Sequence, residues 1–213
     1  MNIIKKITAL AVSLMFIFTI AGCGIVIEGE GKGSSDTSGK SGAIGLSIST
    51  QNNPFFVTLA EGAKQAANEA GVSLTVVDAS DDATKQVSDI EDLVSKNISV
   101  LIVNPVDSDA VSGAVQAAKN QGVYVIAVDR VVNNVEIDCQ IASDNVAGAE
   151  LATQYIVDKL GEQIKVAELQ GTSGASAAID RAEGFHNIAD SKLKVVASQT
   201  ANFSRTEGMS VME

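Results

Sequence analysis

Short apolar stretches recur along this chain, each followed by a stretch of helical period. Ala43–Ser49, Val72–Val77, Val100–Val103 and Val123–Val128 are the first four. Near-continuous apolar runs of that length read as strands covered on both faces. Between the first two, Phe56, Leu59, Ala60, Ala63, Ala66, Ala67 and Ala70 share one helical stripe. Asn52-Asn53-Pro54 opens that helix and Gly71 stops it. Strands separated by single helices pair in parallel through right-handed crossovers. The expectation is an α/β fold with a doubly wound parallel sheet.

The pattern continues. Asp81 or Asp82 caps a helix carrying Val87, Ile90, Leu93 and Val94, and Ser108 or Asp109 starts one carrying Val111, Ala114, Val115 and Ala118. Glu136–Ala142 reads as a fifth strand, and Ser143-Asp144 caps a helix over Asn145–Leu160. Strands at Lys165–Leu169 and Leu193–Ser198 flank a helix over Ser176–Ala189. A last helix from about Arg205 turns Met209 and Met212 inward. The sequence thus predicts a lobe over 43–142 and a second over 143–213, the second incomplete because the chain stops inside a helix without a cap.

The first residues read as an address. Met1–Gly22 has no acid, carries Lys5 and Lys6, and holds an apolar run over Ile7–Ile20. That run is shorter than the roughly 20 residues a membrane span needs and fits a secretory signal. Ile20-Ala21-Gly22-Cys23 resembles a bacterial lipobox, with Cys23 as the lipid-modified residue. Residues 23–42 are rich in Gly, Ser and Lys and read as a flexible tether. Gly29-Glu30-Gly31-Lys32-Gly33 and Gly39-Lys40-Ser41 imitate phosphate loops, but no strand and helix bracket them.

The chain carries a net charge of −11, and removal of the signal with its two lysines leaves −13. An acidic chain lacks the basic face that nucleic acid requires. Two cysteines, one of them Cys23, exclude a disulfide scaffold. Cys139 then reads as a small buried hydrophobe. The single His, His186, sits in a helical segment, and no His or Cys pair suggests a metal. No nucleophile elbow is present. The reading is a binding protein without cofactor, not an enzyme.

In a parallel sheet, ligands bind at the carboxyl ends of the strands. The first strand ends in Ser49-Thr50-Gln51-Asn52-Asn53-Pro54-Phe55-Phe56, which gathers amides, hydroxyls and two of the four phenylalanines outside the signal. Adjacent helical residues diverge by about 100°, so one ring packs while the other faces a cleft. The fourth strand ends in Asp129-Arg130, and the chain has only three arginines. A carboxylate beside a guanidinium offers acceptors and donors in one plane, which suits neighbouring hydroxyls of a sugar. Arg181 reads equally well as a ligand or as a solvated surface residue, and Arg205 is the weakest of the three.

These segments, with Asn104-Pro105-Val106-Asp107-Ser108-Asp109-Ala110, Ile141-Ala142-Ser143-Asp144-Asn145, Glu168-Leu169-Gln170-Gly171 and Arg181-Ala182-Glu183-Gly184-Phe185, resemble the bacterial D-ribose-binding branch of the type I periplasmic binding proteins. The resemblance runs from about Ala43 to Glu213 with one short gap near Asp190. It implies two lobes that close on a sugar like a hinge. Ser49 and Asn53 would hydrogen-bond hydroxyls, and Phe55 and Phe56 would cover one ring face with Phe203 opposite. Asp129 and Arg130 would pair with vicinal hydroxyls, and Arg181 would reach in from the second lobe. The implied protein is a monomer anchored by its lipid on the extracytoplasmic face of the membrane. It captures a monosaccharide, D-ribose above others, and hands it to the permease of an ABC transporter. Another sugar, autoinducer-2 or a chemoreceptor role remain alternatives. Members run beyond this end point and supply an Asn, an Asp and a Gln that have no counterpart here, so sugar binding by this chain alone is expected to be weak or absent. A sugar-responsive repressor shares the fold but would need a basic helix-turn-helix where this chain has its lipobox.

Overall fold

The computed structural model describes residues 42–213. The signal segment, Cys23 and the tether up to Ser41 lie outside the described residues. The chain alternates β1 (Ile44–Ile48), α1 (Pro54–Ala70), β2 (Leu74–Asp78), α2 (Ala83–Ser95), β3 (Val100–Val103), α3 (Ser112–Asn120), β4 (Tyr124–Val128) and β5 (Cys139–Ile141). It continues through α4 (Asn145–Leu160), β6 (Lys165–Gln170), α5 (Ser176–Lys192), β7 (Lys194–Thr200) and α6 (Arg205–Met212). The first five strands form one parallel sheet in the order β2-β1-β3-β4-β5, and β6 pairs with β7 in a second. Because β1 lies between β2 and β3, the chain winds outward in both directions from it. A crevice opens between the carboxyl ends of β1 and β3.

Local chemistry fixes the helix starts. The Asn53 side chain accepts the amide hydrogen of Phe55, Pro54 occupies the first turn, and Gly71 ends α1 at φ 67°. Asp82 accepts from the Lys85 amide, Asp144 from Ala147 and Ser204 from Glu207. Helix α3 starts at Ser112 rather than at Ser108 or Asp109. The intervening residues form a turn in which Asp107 Oδ1 accepts the amides of Asp109 and Ala110. That local pairing competes with helical bonding. Strand β5 is shorter than the expected Glu136–Ala142, and α5 runs three residues longer than expected.

The first sheet is covered on both faces. Leu46 and Ile48 pack with Phe56 and Ala60 of α1. Leu101, Val103, Val125 and Ala127 pack with Ile90 and Leu93 of α2 and Val115 and Ala118 of α3. Around the second sheet the buried cluster is smaller, with Val157, Ala189 and Leu193 at its centre. Met209 and Met212, expected to point inward, are each 62% exposed. Among the described residues the second sheet has two strands, so no further strand receives that face of α6.

Candidate functional site

The carboxyl ends of β1, β3 and β4 meet beneath the crevice. Ser49, just past β1, is wholly buried and donates its hydroxyl to Asn104 Oδ1 at 2.6 Å. Asn104, just past β3, donates from Nδ2 to the Val128 carbonyl at 3.1 Å. One side-chain amide therefore ties three strand ends together. The loop after β4 leaves this floor with Asp129 at φ 64°, a left-handed conformation disfavoured for a non-glycine residue and typical of functional sites.

That turn delivers Arg130. Its side chain is 2% exposed and runs beneath a cavity of about 230 Å³. Nη1 donates to the Pro105 carbonyl at 2.8 Å and to the Val106 carbonyl at 3.4 Å. Its Cζ stands 5.1 Å from the Phe56 ring centroid and 5.7 Å from that of Phe203. Asp129 Oδ2 lies 3.8 Å from Nε, beyond hydrogen-bond reach. Nε is the buried side-chain polar atom that has no partner among the described residues. Burial lowers the pKa of the guanidinium, and the Arg181 charge adds to this, while Asp129 and Asp81 oppose it.

The wall of the cavity is built from Asn53, Phe55, Phe56, Asp129, Arg130, Arg181 and Phe203, together with Ser143 and Ala177. Seven of the eight residues singled out from the sequence thus meet at one place. The two adjacent rings divide as anticipated: Phe56 is 3% exposed and Phe55 56%, edge-on at 5.2 Å between centroids. Asn53 spends its carbonyl oxygen on the α1 cap, which leaves its NH₂ as the donor available to the cavity. Arg181 is oriented by Nε donating to Asn145 Oδ1 at 2.8 Å, and its Cζ lies 5.9 Å from the Phe203 ring centroid. Phe203 itself is at φ 56° and lines the cavity.

Ser49 is the exception. Its hydroxyl lies under the floor and is bonded to Asn104, so the structure does not bring it to the cavity wall. Asn104, Ser143 and Ala177 were missed by the sequence reading. Asn104 sits in a quoted strand-end segment and could have been flagged as an amide at a parallel strand end. Nothing in the sequence marks Ala177. A second cavity of about 660 Å³ shares Asn53, Phe56, Arg130 and Phe203 and extends past Thr50 and Asp81 to Arg205. Burial pushes the Asp81 carboxyl up, against a lowering hydrogen bond with Thr50. His186 lines neither cavity. It pairs with Asp190 at 2.7 Å and stands 3.5 Å from Glu168. No cluster of His, Cys, Asp or Glu able to hold a metal occurs among the described residues, and none of their helices is long and apolar enough to cross a membrane.

The cleft is therefore a small chamber with aromatic walls, two guanidinium groups, one carboxylate and an amide donor. That set suits a compact neutral molecule with several hydroxyls and an apolar ring face. The ribose import binding protein RbsB of Bacillus subtilis (strain 168) is 45% identical over 209 residues, covering 98% of this chain and 68% of that protein. That of Escherichia coli (strain K12) is 44% identical over 171 residues, covering 80% and 58% respectively. Among solved structures, the Caulobacter myo-inositol binding protein bound to myo-inositol matches with a TM-score of 0.76 at 29% identity, covering 88% of this chain and 62% of that one. The binding component of the arabinose ABC transporter from Shewanella sp. ANA-3, bound to L-arabinofuranose, matches with a TM-score of 0.75 at 30% identity, covering 80% and 58%. The chain spans between 58% and 68% of the length of these relatives. The periplasmic binding protein domain matches residues 44–213, from β1 to the residue after α6, and the chain belongs to that family of binding proteins rather than to the enzymes.

Proposed function

We propose that this chain is the sugar-capturing part of an extracytoplasmic receptor for an ABC importer, with D-ribose as its ligand. The observation that carries the proposal is Arg130 Nε, which is buried and unpartnered beside Asp129, on a guanidinium whose Cζ lies 5.1 and 5.7 Å from two aromatic ring centroids. A buried donor without an acceptor costs about 1–3 kcal/mol, and a ligand oxygen in the cavity removes that cost. In this reading the Nε hydrogen goes to one hydroxyl oxygen, and Asp129 accepts the hydrogen of the adjacent hydroxyl. The Phe55 and Phe203 rings take the C–H faces, while Asn53 and Arg181 donate from opposite lobes. Ser49 acts through Asn104 rather than on the sugar. Hydrogen bonds to charged groups are worth about 1.5–3 kcal/mol each, and a micromolar affinity is about −8 kcal/mol. Several such bonds and one stacked ring reach that range after ordering costs. Closing the lobes over the ligand removes water and forms the surface a permease reads.

Titration calorimetry against D-ribose, D-apiose, L-arabinose and myo-inositol tests the assignment. In the protein completed to the length of its relatives, micromolar D-ribose binding with at least tenfold weaker affinity for the others is expected; a reversed order there gives the site to another sugar, and silence with all four refutes the reading. Cys23 would carry a lipid anchor. Changing Cys23→Ala should move the protein from the membrane fraction to the soluble one, and an unchanged distribution would refute the anchor.

A further inference from the structure

Gln86, in the first turns of α2, is wholly buried and lines neither cavity. Both ends of its amide are committed. Oε1 accepts the Val106 amide hydrogen at 2.7 Å. Nε2 donates to the Asn104 carbonyl at 2.9 Å and to the Ser47 hydroxyl at 3.2 Å. The segment thus clamped, 104–106, contributes the two carbonyls that hold the Arg130 guanidinium, those of Pro105 and Val106. The same segment carries Asn104, which joins the ends of β1 and β4. A buried amide that only filled space could be replaced by an apolar residue of equal volume. This one satisfies a donor and an acceptor on the strip of backbone that aims Arg130.

We infer that Gln86 is a positioning residue for the ligand site, acting through the 104–106 segment on Arg130. The inference rests on the sugar-binding reading only for its affinity readout, because the placement of Arg130 is measurable without ligand. The informative variant is Gln86→Glu. An ionised carboxylate faces the Asn104 carbonyl with no hydrogen to donate. A protonated one donates to that carbonyl and accepts from Val106, which restores both bonds. Burial raises the pKa of such a group, in documented cases to about 8–9, so a series from acid to alkaline pH spans its titration.

The experiment compares wild type, Gln86→Glu and Gln86→Leu at about pH 5.5 and about pH 9.5. It follows amide exchange at Val106, the nitrogen resonances of the Arg130 guanidinium, and D-ribose affinity. In Gln86→Glu at high pH, exchange at Val106 should quicken about tenfold, the Arg130 resonances should shift, and affinity should fall about 10–100-fold. All three should return toward wild type at low pH, while Gln86→Leu stays impaired at both. Wild-type behaviour of both variants at both pH values overturns the inference. So does a loss of Val106 protection that proceeds in step with the amides of β7, because that is global unfolding. A pH-dependent change at Val106 and Arg130 with no sugar bound by any form upholds the positioning role and refutes the ribose assignment instead.

Discussion

A cationic side chain held at 2% exposure, with two ring centroids 5.1 and 5.7 Å from its Cζ and one nitrogen unbonded, is not an arrangement that stability alone selects. Replacing a buried ion pair by apolar side chains of similar volume is often neutral or favourable, and Asp129 stands beyond hydrogen-bond reach of Nε. Arg130→Met keeps contact with Phe56 and Phe203 and removes the desolvated charge. The ligand-free melting midpoint is expected to stay within about 4 °C of wild type or to rise, while D-ribose binding disappears. Calorimetry on the two proteins decides it, and a fall of more than about 8 °C would make Arg130 a structural tie. Arg130 was legible in the sequence because a carboxylate–guanidinium pair closes a strand in a chain with three arginines. Ser49 and Gln86 were not. The fate of the Ser49 hydroxyl depends on Asn104, 55 positions away, and Gln86 reads locally as one more polar residue on an amphipathic helix.

At the level of elements, close approach decides where side chains are tolerated. Helices α4 and α5 cross at Gly184, where an added Cβ would collide with the Val146 carbonyl and come within 2.9 Å of Ala149 Cβ. Backbone cannot yield as a flexible side chain does, so Gly184→Ala should destabilise by about 1–3 kcal/mol. Gly62, inside α1, has nothing within 4 Å of such a Cβ, and Gly62→Ala should stabilise by about 0.4–1 kcal/mol through helix propensity and unfolded-chain entropy. Denaturant unfolding of the two variants tests the contrast, and equal effects would contradict it. Gly171 differs from Gly184, since its Cβ would meet the tip of the Phe203 ring, a side chain that can turn away. Strand and helix positions followed from the apolar pattern, because burial on both faces leaves long unbroken runs. Caps set some of the element ends. Asp144 and Gly71 fixed theirs, whereas the turn at Asp107 displaced the start of α3 by about one helical turn.

For the molecule as a whole, the sequence carried the fold class and the site further than it carried the second lobe. The first sheet buries its strands under helices from its own segment. The apolar face of α6 has no such neighbour among the described residues, and periodicity alone could not reveal that. Bonds between the segments before and after Ala142 were equally hidden: Val131 donates its amide to Ser176 Oγ at 2.9 Å, and Ser108 donates its amide to the Gly174 carbonyl at 2.9 Å. The charge balance nevertheless gives a prediction at this scale. Asp190 and Glu168 face His186 on either side and raise its pKa, the Asp190 hydrogen bond being the larger cause. A raised folded-state value means the charged form favours the native state. That contribution is complete below the unfolded value of about 6.5 and is lost as pH rises through the folded one. Asp81, raised chiefly by burial, acts in the same direction at lower pH: its protonation stabilises the fold as pH falls through its raised value, fully so below about 3.9. Asp138 acts oppositely. The Val125 amide and Lys119 lower its pKa, so its contribution is present above about 3.9 and fades only in stronger acid. The ligand-free protein should therefore melt at a higher temperature at about pH 5.5 than at about pH 8. His186→Gln should flatten the rise between about pH 8 and 6 while leaving the acid limb below about pH 4 in place. A wild-type rise that survives in His186→Gln would remove His186 from the account and leave only charge repulsion across an acidic chain to explain it.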